Sequence, residues 1–326
     1  MKRLAAAALG AAVGVRVEAA LMARERGRPD PAAHDAFGPG TGETSRLIDM
    51  DDGGVLHVVE RGPVDAPPIV LLHGVTLSTL TWRYQLDDLA DRFRVIAVDH
   101  RGHGRSRAGS GGHTLPGMAA DIAHLLERDD LRGALVVGHS MGGIVAMQLA
   151  AGHPDLLGTR VGGLALVATT AAPGARVPGW SRVVEWAAPG TERALRMADR
   201  RRFVSLPPND LSYLIARLGL GARPSPTHVE LTRLMHAALP PAVIADLWRE
   251  LADVDLRSTL PRISVPTTVM VGSRDLVTPP HHSREIHRLV PGAELVSWPG
   301  AGHMLMLERR AAFAEAVARA AVTLAS

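Results

Sequence analysis

Five short apolar runs, two of them opening on polar residues (Arg94, and Thr267 with Thr268), constrain this chain more than any other feature: Ile69 to Leu72, Arg94 to Val98, Leu135 to Val137, Leu164 to Val167 and Thr267 to Val271. A half-buried strand alternates polar and apolar residues, whereas a strand buried on both faces need not. Helix-length stretches such as Leu115 to Leu126 and Met141 to Ala151 separate the runs. Strand alternating with helix predicts an α/β fold, a parallel sheet with helices on both sides. Ahead of it, Arg46 to Met50 and Val55 to Glu60 flank Asp51-Asp52-Gly53-Gly54, a hairpin signal.

One connection is out of proportion. Nearly a hundred residues separate the strand ending near Thr169 from the one starting near Thr267, far more than such a link needs. The stretch holds prolines at 178, 189, 207, 208, 224, 226, 240 and 241, and five of the eleven aromatics: Trp180, Trp186, Phe203, Tyr213 and Trp248. It reads as a helical cap at 170–262, inserted into a core formed by 46–169 and 263–326.

Residues 1–45 read as an arm. Lys2 and Arg3 precede an apolar run from Leu4 to Val15, which Arg16 and Glu18 interrupt. The run is shorter than the roughly 20 residues of a membrane span. A helix lying on the protein or on a membrane surface, a secretory signal or anchor, and a disordered extension all fit it. A cytoplasmic location is the expectation, with membrane association or export through residues 1–23 as alternatives. Residues 24 to 45, rich in Arg, Pro, Gly and Asp, read as a linker.

Composition excludes several classes. The 36 basic and 33 acidic residues leave a net charge of +3, which is no nucleic-acid footprint. Having no cysteine, the chain cannot form disulfides, thiolate metal sites or a cysteine nucleophile. His281, His282 and His287 lack the His-Glu-x-x-His spacing of a metal site and read as decoration of a polar helix face; His100, His103 and His113 suggest no metal either. No cofactor, metal or nucleic-acid partner is expected.

The chemistry centres on Gly138-His139-Ser140-Met141-Gly142-Gly143, directly after the run Leu135 to Val137 and opening an apolar helix. A serine on so sharp a strand-to-helix turn holds a strained backbone, and glycine two residues either side avoids a collision. The turn pushes the Ser140 hydroxyl out of the sheet edge, and the Met141 N–H faces a developing oxyanion. A second N–H is expected from Val75, in His73-Gly74-Val75-Thr76 after the first core strand. Thr76, with Leu77 to Thr79, lines the mouth.

A serine hydroxyl needs a base. Among fifteen histidines, His303 lies in Gly300-Ala301-Gly302-His303, just after the strand-like run Glu294 to Ser297. That base needs a buried carboxylate. Asp275 follows the strand Thr267 to Val271 through Gly272-Ser273-Arg274, and Thr278-Pro279-Pro280 closes its loop. Asp246, Asp253 and Asp255 read as solvated helix residues, and Asp99 as an organiser of its Arg-Gly-His-Gly-Arg-Ser loop.

With these residues in place the chain resembles the α/β-hydrolase fold, in the capped branch of monoglyceride-lipase-like esterases, lactonases and cofactor-free haloperoxidase-like enzymes. The order Ser140, Asp275, His303 is the family's chain order, and the resemblance runs from about residue 46 to the C-terminus. It implies an eight-stranded, mostly parallel sheet and acyl transfer through an acyl-enzyme. The expected substrate is a small or medium, mostly apolar carboxylic ester, with Trp180 and Trp186 of the cap as substrate contacts. Lactone, thioester, C–C or peracid chemistry on the same residues, and an acyltransferase, are the alternatives. Relatives that displace halide or open epoxides use Asp at the elbow; here it is Ser140.

Overall fold

The computed structural model describes residues 23–25, 27–35, 37, 38, 40–172, 197 and 210–324. The expected segments 1–22, Trp180, Trp186 and Phe203 therefore lie outside the described residues. An antiparallel hairpin comes first, β1 (Thr44–Asp49) and β2 (Val55–Arg61), and β3 (Pro68–Leu72) follows. Then α1 (Arg83–Leu89), β4 (Arg94–Asp99), α2 (Leu115–Arg128), β5 (Ala134–His139), α3 (Met141–Gly152) and β6 (Val161–Val167) alternate. The inserted region contributes α4 (Asp210–Leu218), α5 (Pro226–Ala238) and α6 (Pro241–Asp253). The chain closes with β7 (Thr267–Gly272), α7 (Pro280–Leu289), β8 (Glu294–Trp298), α8 (Leu305–Glu308) and α9 (Arg310–Val322).

The strands form one eight-stranded sheet in the order β1-β2-β4-β3-β5-β6-β7-β8. β2 runs antiparallel to both of its neighbours, and every other pairing is parallel. The solid apolar runs have the burial they demand. Along β4, Val95 and Ala97 pack into one core cluster and Ile96 and Val98 into the other; along β5, Leu135 and Val137 oppose Val136. Side chains of α1 and α9 fill the face of Val95 and Ala97, and those of α2, α3 and α7 the face of Ile96 and Val98.

The reversal of β3 and β4 in the order brings β3 beside β5, with Leu72 paired to Gly138. The loop after β3 and the elbow after β5 therefore emerge side by side at the carboxyl edge, where open α/β sheets hold their ligands. β7 and β8, two and three strands along, deliver their loops to the same edge.

The linker expected at 24–45 is instead fastened to the body where it is described. Asp30 accepts from Thr227 N at 3.1 Å and Thr227 Oγ1 at 2.7 Å, and Glu25 accepts from Arg217 Nε at 3.1 Å. Asp35 accepts from Tyr84, Glu43 pairs with Arg83, and Ala32 is buried. Each contact reaches a partner at least 40 positions away, so no local pattern announces it. No helix among the described residues is long and apolar enough to cross a membrane.

Candidate active site

The elbow is as tight as its glycines imply. Ser140 sits at φ 53° and ψ −118°, a left-handed conformation costly for a residue with a side chain. It caps α3, whose Gly142 has no room for a methyl: a Cβ there would lie 2.2 Å from the Leu72 carbonyl oxygen. The turn is pinned from outside as well. Ser140 N donates to Val167 O at 2.9 Å, and Thr169 Oγ1 donates to Ser140 O at 2.7 Å. Strain is thus held by bonds to β6 and the segment after it, leaving the serine side chain no capping duty within α3.

Gly74 closes the other wall. A Cβ on it would lie 3.0 Å from both Ser140 Cβ and His139 Nδ1, so glycine lets the β3 loop approach the elbow without pushing either aside. Val75 follows it. Met141 N, at the first position of α3, belongs to the turn of N–H groups that a helix leaves unpaired. Neither N–H has an acceptor among the described residues. Thr76 has φ 61°, and its hydroxyl donates to Val75 O at 2.6 Å.

Asp275 and His303, 28 positions apart, meet: His303 Nδ1–H donates to Asp275 Oδ2 at 2.9 Å. The carboxylate is buried and further held by Val277 N and Thr278 N, both at 2.8 Å to Oδ1, and by Thr278 Oγ1 at 2.7 Å to Oδ2. Burial by itself would raise its pKa; the His303 ring and the Thr278 bonds outweigh that and hold it below the ordinary value. Asp275 is therefore charged at neutral pH. With Nδ1–H given to Asp275, Nε2 is the ring nitrogen of His303 left to accept.

The elbow touches this pair through His139. Its Nε2–H donates to His303 O at 3.0 Å and the two rings lie 4.6 Å apart. Burial, then the His303 charge, push its pKa well down.

The rival acids lie elsewhere. Asp246 accepts from His113 Nδ1 at 2.9 Å, and Asp255 pairs with Arg257 beyond the end of α6, not on a helix. Asp99 does organise its loop, accepting Thr79 N at 2.7 Å and Arg105 N at 3.0 Å. One histidine reading changes. His282 does not decorate a polar face: it is buried and bonded to Thr170 Oγ1 at 3.0 Å. His100 and His103 are buried around His73, at 4.7 and 5.0 Å between rings. Among the described residues no three His, Asp or Glu side chains group as metal donors.

Three neighbours escaped sequence reasoning. Thr278 carries half of the bonds that hold Asp275. Glu308, on α8, accepts Gly302 N at 3.0 Å and Gly221 N at 2.8 Å, tying the His303 loop to the end of α4. His236, on α5, is pushed down to about 4 by burial and by the nearby His303 charge, so it is neutral at pH 7. The last two are single polar residues on helices, and nothing in their own neighbourhood in the sequence marks them.

A doubly wound sheet with a serine elbow, a buried carboxylate and an imidazole delivered to its carboxyl edge defines the class of α/β hydrolases. The family model described as alpha/beta hydrolase fold matches residues 67–310, and the chain belongs to that family. It is similar to a pimeloyl-[acyl-carrier protein] methyl ester esterase from Chromobacterium violaceum, 32% identical over 256 residues, 77% of this chain and 93% of that one. Among solved structures it is similar to a thermophilic esterase from Thermogutta terrifontis (TM-score 0.72, 27% identity, 87% of this chain and 100% of that one). The enol-lactonase from Burkholderia xenovorans is similar too (TM-score 0.69, 27% identity, 84% and 99%).

Proposed function

We propose that the chain is a serine hydrolase that cleaves a small or medium, mostly apolar carboxylic ester through an acyl-enzyme. The observation that carries this reading is the buried Asp275–His303 bond beside an elbow whose serine holds a strained, positive-φ backbone. Ser140 Oγ attacks the carbonyl while its proton passes to His303 Nε2. Asp275 stabilises the resulting imidazolium. The N–H groups of Val75 and Met141 take the oxyanion, and each such donor is worth about a hundredfold or more in rate. His303 returns the proton to the leaving alcohol, and water then releases the acid by the same path.

The inserted stretch 170–262 acts in this reading as a cap over the site. Support comes from α5 and α6, which bond to loops at the sheet's carboxyl edge: Thr81 Oγ1 donates to Met235 Sδ at 3.5 Å, and Leu115 N to Glu250 at 3.0 Å. Thr76 of the mouth and Trp180 and Trp186 of the cap are the proposed substrate contacts. Relatives named as a methyl ester esterase and an enol-lactonase put both open and cyclic esters within range.

A fluorophosphonate probe with peptide mapping, run beside a chain-length panel of p-nitrophenyl esters and simple lactones, tests the reading. The expected result is an adduct on Ser140 and turnover of the apolar esters. Neither adduct nor turnover would overturn it, and a new ester formed from an added alcohol in place of free acid would make the enzyme a transferase. Asp275→Asn is expected to lower kcat about 10³- to 10⁴-fold, because the amide no longer orients the imidazole or balances its charge. Asp246→Asn should stay within about threefold of wild type, since this half-buried carboxylate pairs with His113 and not with His303; the reverse ranking would move the acid to α6.

A further inference from the structure

A second serine–histidine–aspartate chain runs across β1, β2 and β4. In the β2–β4 register His57 stands opposite Asp99, and its Nδ1–H donates to Asp99 Oδ2 at 2.7 Å. The other ring nitrogen, Nε2, is left as an acceptor, and Ser45 Oγ of β1 lies 2.9 Å from it. Ser45 is exposed, whereas His57 and Asp99 are buried. Asp99 is held below the ordinary carboxylate range: burial opposes this, but the His57 bond and the Arg105 and Thr79 N–H groups prevail. The Arg105 guanidinium donates to Ser45 Oγ at 2.9 Å, which puts a cation at the hydroxyl.

A cavity of about 350 Å³ opens at this point, lined among others by Gly40, Ser45, His57, Val59, Leu80 and Arg105. None of Ser140, Asp275, His303, Val75 or Met141 lines it. Its apolar wall beside a hydrogen-bonded Ser–His–Asp chain is the combination that acyl transfer needs: a base to take the hydroxyl proton, a carboxylate to hold the base, and a cation where negative charge develops. The purely structural role, a strap that fastens the edge hairpin to β4, would need neither the cavity nor the arginine.

We propose that Ser45 is a second nucleophile, which takes the acyl group of activated esters of small apolar carboxylic acids. Ser45 Oγ forms a bond to the carbonyl carbon as its proton moves to His57 Nε2. The oxyanion faces Arg105. Collapse breaks the bond to the leaving alcohol, which departs with the proton from His57, so one ester is exchanged for another with no change of oxidation state. Water attacks acyl-Ser45 by the reverse of these proton movements.

The test uses the Ser140→Ala chain, in which the first site is silent. It is incubated with p-nitrophenyl butyrate or a fluorophosphonate, and the adduct is mapped by mass spectrometry. Label on Ser45 is expected, lost in Ser140→Ala/Ser45→Ala. His57→Gln in the Ser140→Ala background should slow labelling at least tenfold. Arg105→Leu, at an exposed position, should slow it as well. No label on Ser45 under conditions that label wild type at Ser140 overturns the proposal, as does a labelling rate indifferent to both His57 and Arg105. Label on Ser45 with none on Ser140 in wild type would support this site and count against the esterase reading of the first.

Discussion

Ser140→Ala is expected to lower kcat/KM for a p-nitrophenyl ester by about 10⁴-fold or more, with little change in melting temperature. The two halves of that statement have separate causes. Removing the hydroxyl removes the attacking atom, and no neighbouring group can replace it. Stability is spared because the Ser140 side chain caps nothing in α3, and the backbone bonds that hold the strained turn run through its N and O atoms. His303→Ala should lose as much activity but also stability: it strips Asp275, a buried carboxylate, of its ring partner and opens a gap beside His139. The double variant should be no slower than either single one, because the groups act as a unit. Turnover near wild type in either single variant, or losses that multiply in the double, would sink the mechanism.

Lowering the pH from 7 to 5 should cost the fold about 4 kcal/mol or more, a large part of a typical net stability of roughly 5–15 kcal/mol. The cause is the set of histidines held neutral, four of them buried (His73, His100, His103 and His139) and His236 half-buried. His103 is pushed down to about 3 by burial and by the charges of His73, and His236 to about 4. Burial also lowers His73, and it lowers His100 and His139 further. In the unfolded chain a histidine takes a proton at about 6.5, so below that pH the unfolded state binds more protons than the folded one. This contribution to stability is full above about 6.5 and is lost as pH falls toward the folded values. At pH 5 it amounts to about 2 kcal/mol for each of His103 and His236. Asp99 and Asp275, both held low, add a second loss only as pH falls below the ordinary carboxylate range near 4. Thermal melts at pH 7, 6 and 5 should show the midpoint dropping on the order of 10 °C. His103→Asn, which keeps an N–H for the Arg101 carbonyl, should shrink that drop; a midpoint flat from pH 7 to 5 would refute the account.

The strands, the elbow and the chain order of Ser140, Asp275 and His303 were legible because each rests on a pattern a few residues long. A short solid apolar run fits a strand buried on both faces, and Gly138-x-Ser140-x-Gly142 between such a run and an apolar helix fits one sharp turn. The loops that carry Asp275 and His303 could be read from the strands they follow. Local pattern also misled. Arg, Pro, Gly and Asp made residues 24–45 look like a linker, and Asp30, Asp35 and Glu43 anchor it to the body. His282 looked like surface decoration because its partner, Thr170, lies 112 positions away.

What the order of residues settles on its own is therefore the alternation of elements and which loops reach the carboxyl edge, since hydrophobic periodicity and backbone sterics act over a handful of neighbours. Only the folded chain decides that His103 and His236 stay neutral, that Glu308 braces the His303 loop, and that Ser45, His57 and Asp99 line up across three strands. Burial, charge and hydrogen bonding act through space, and the sheet order β1-β2-β4-β3 sets side by side residues that the sequence holds dozens of positions apart.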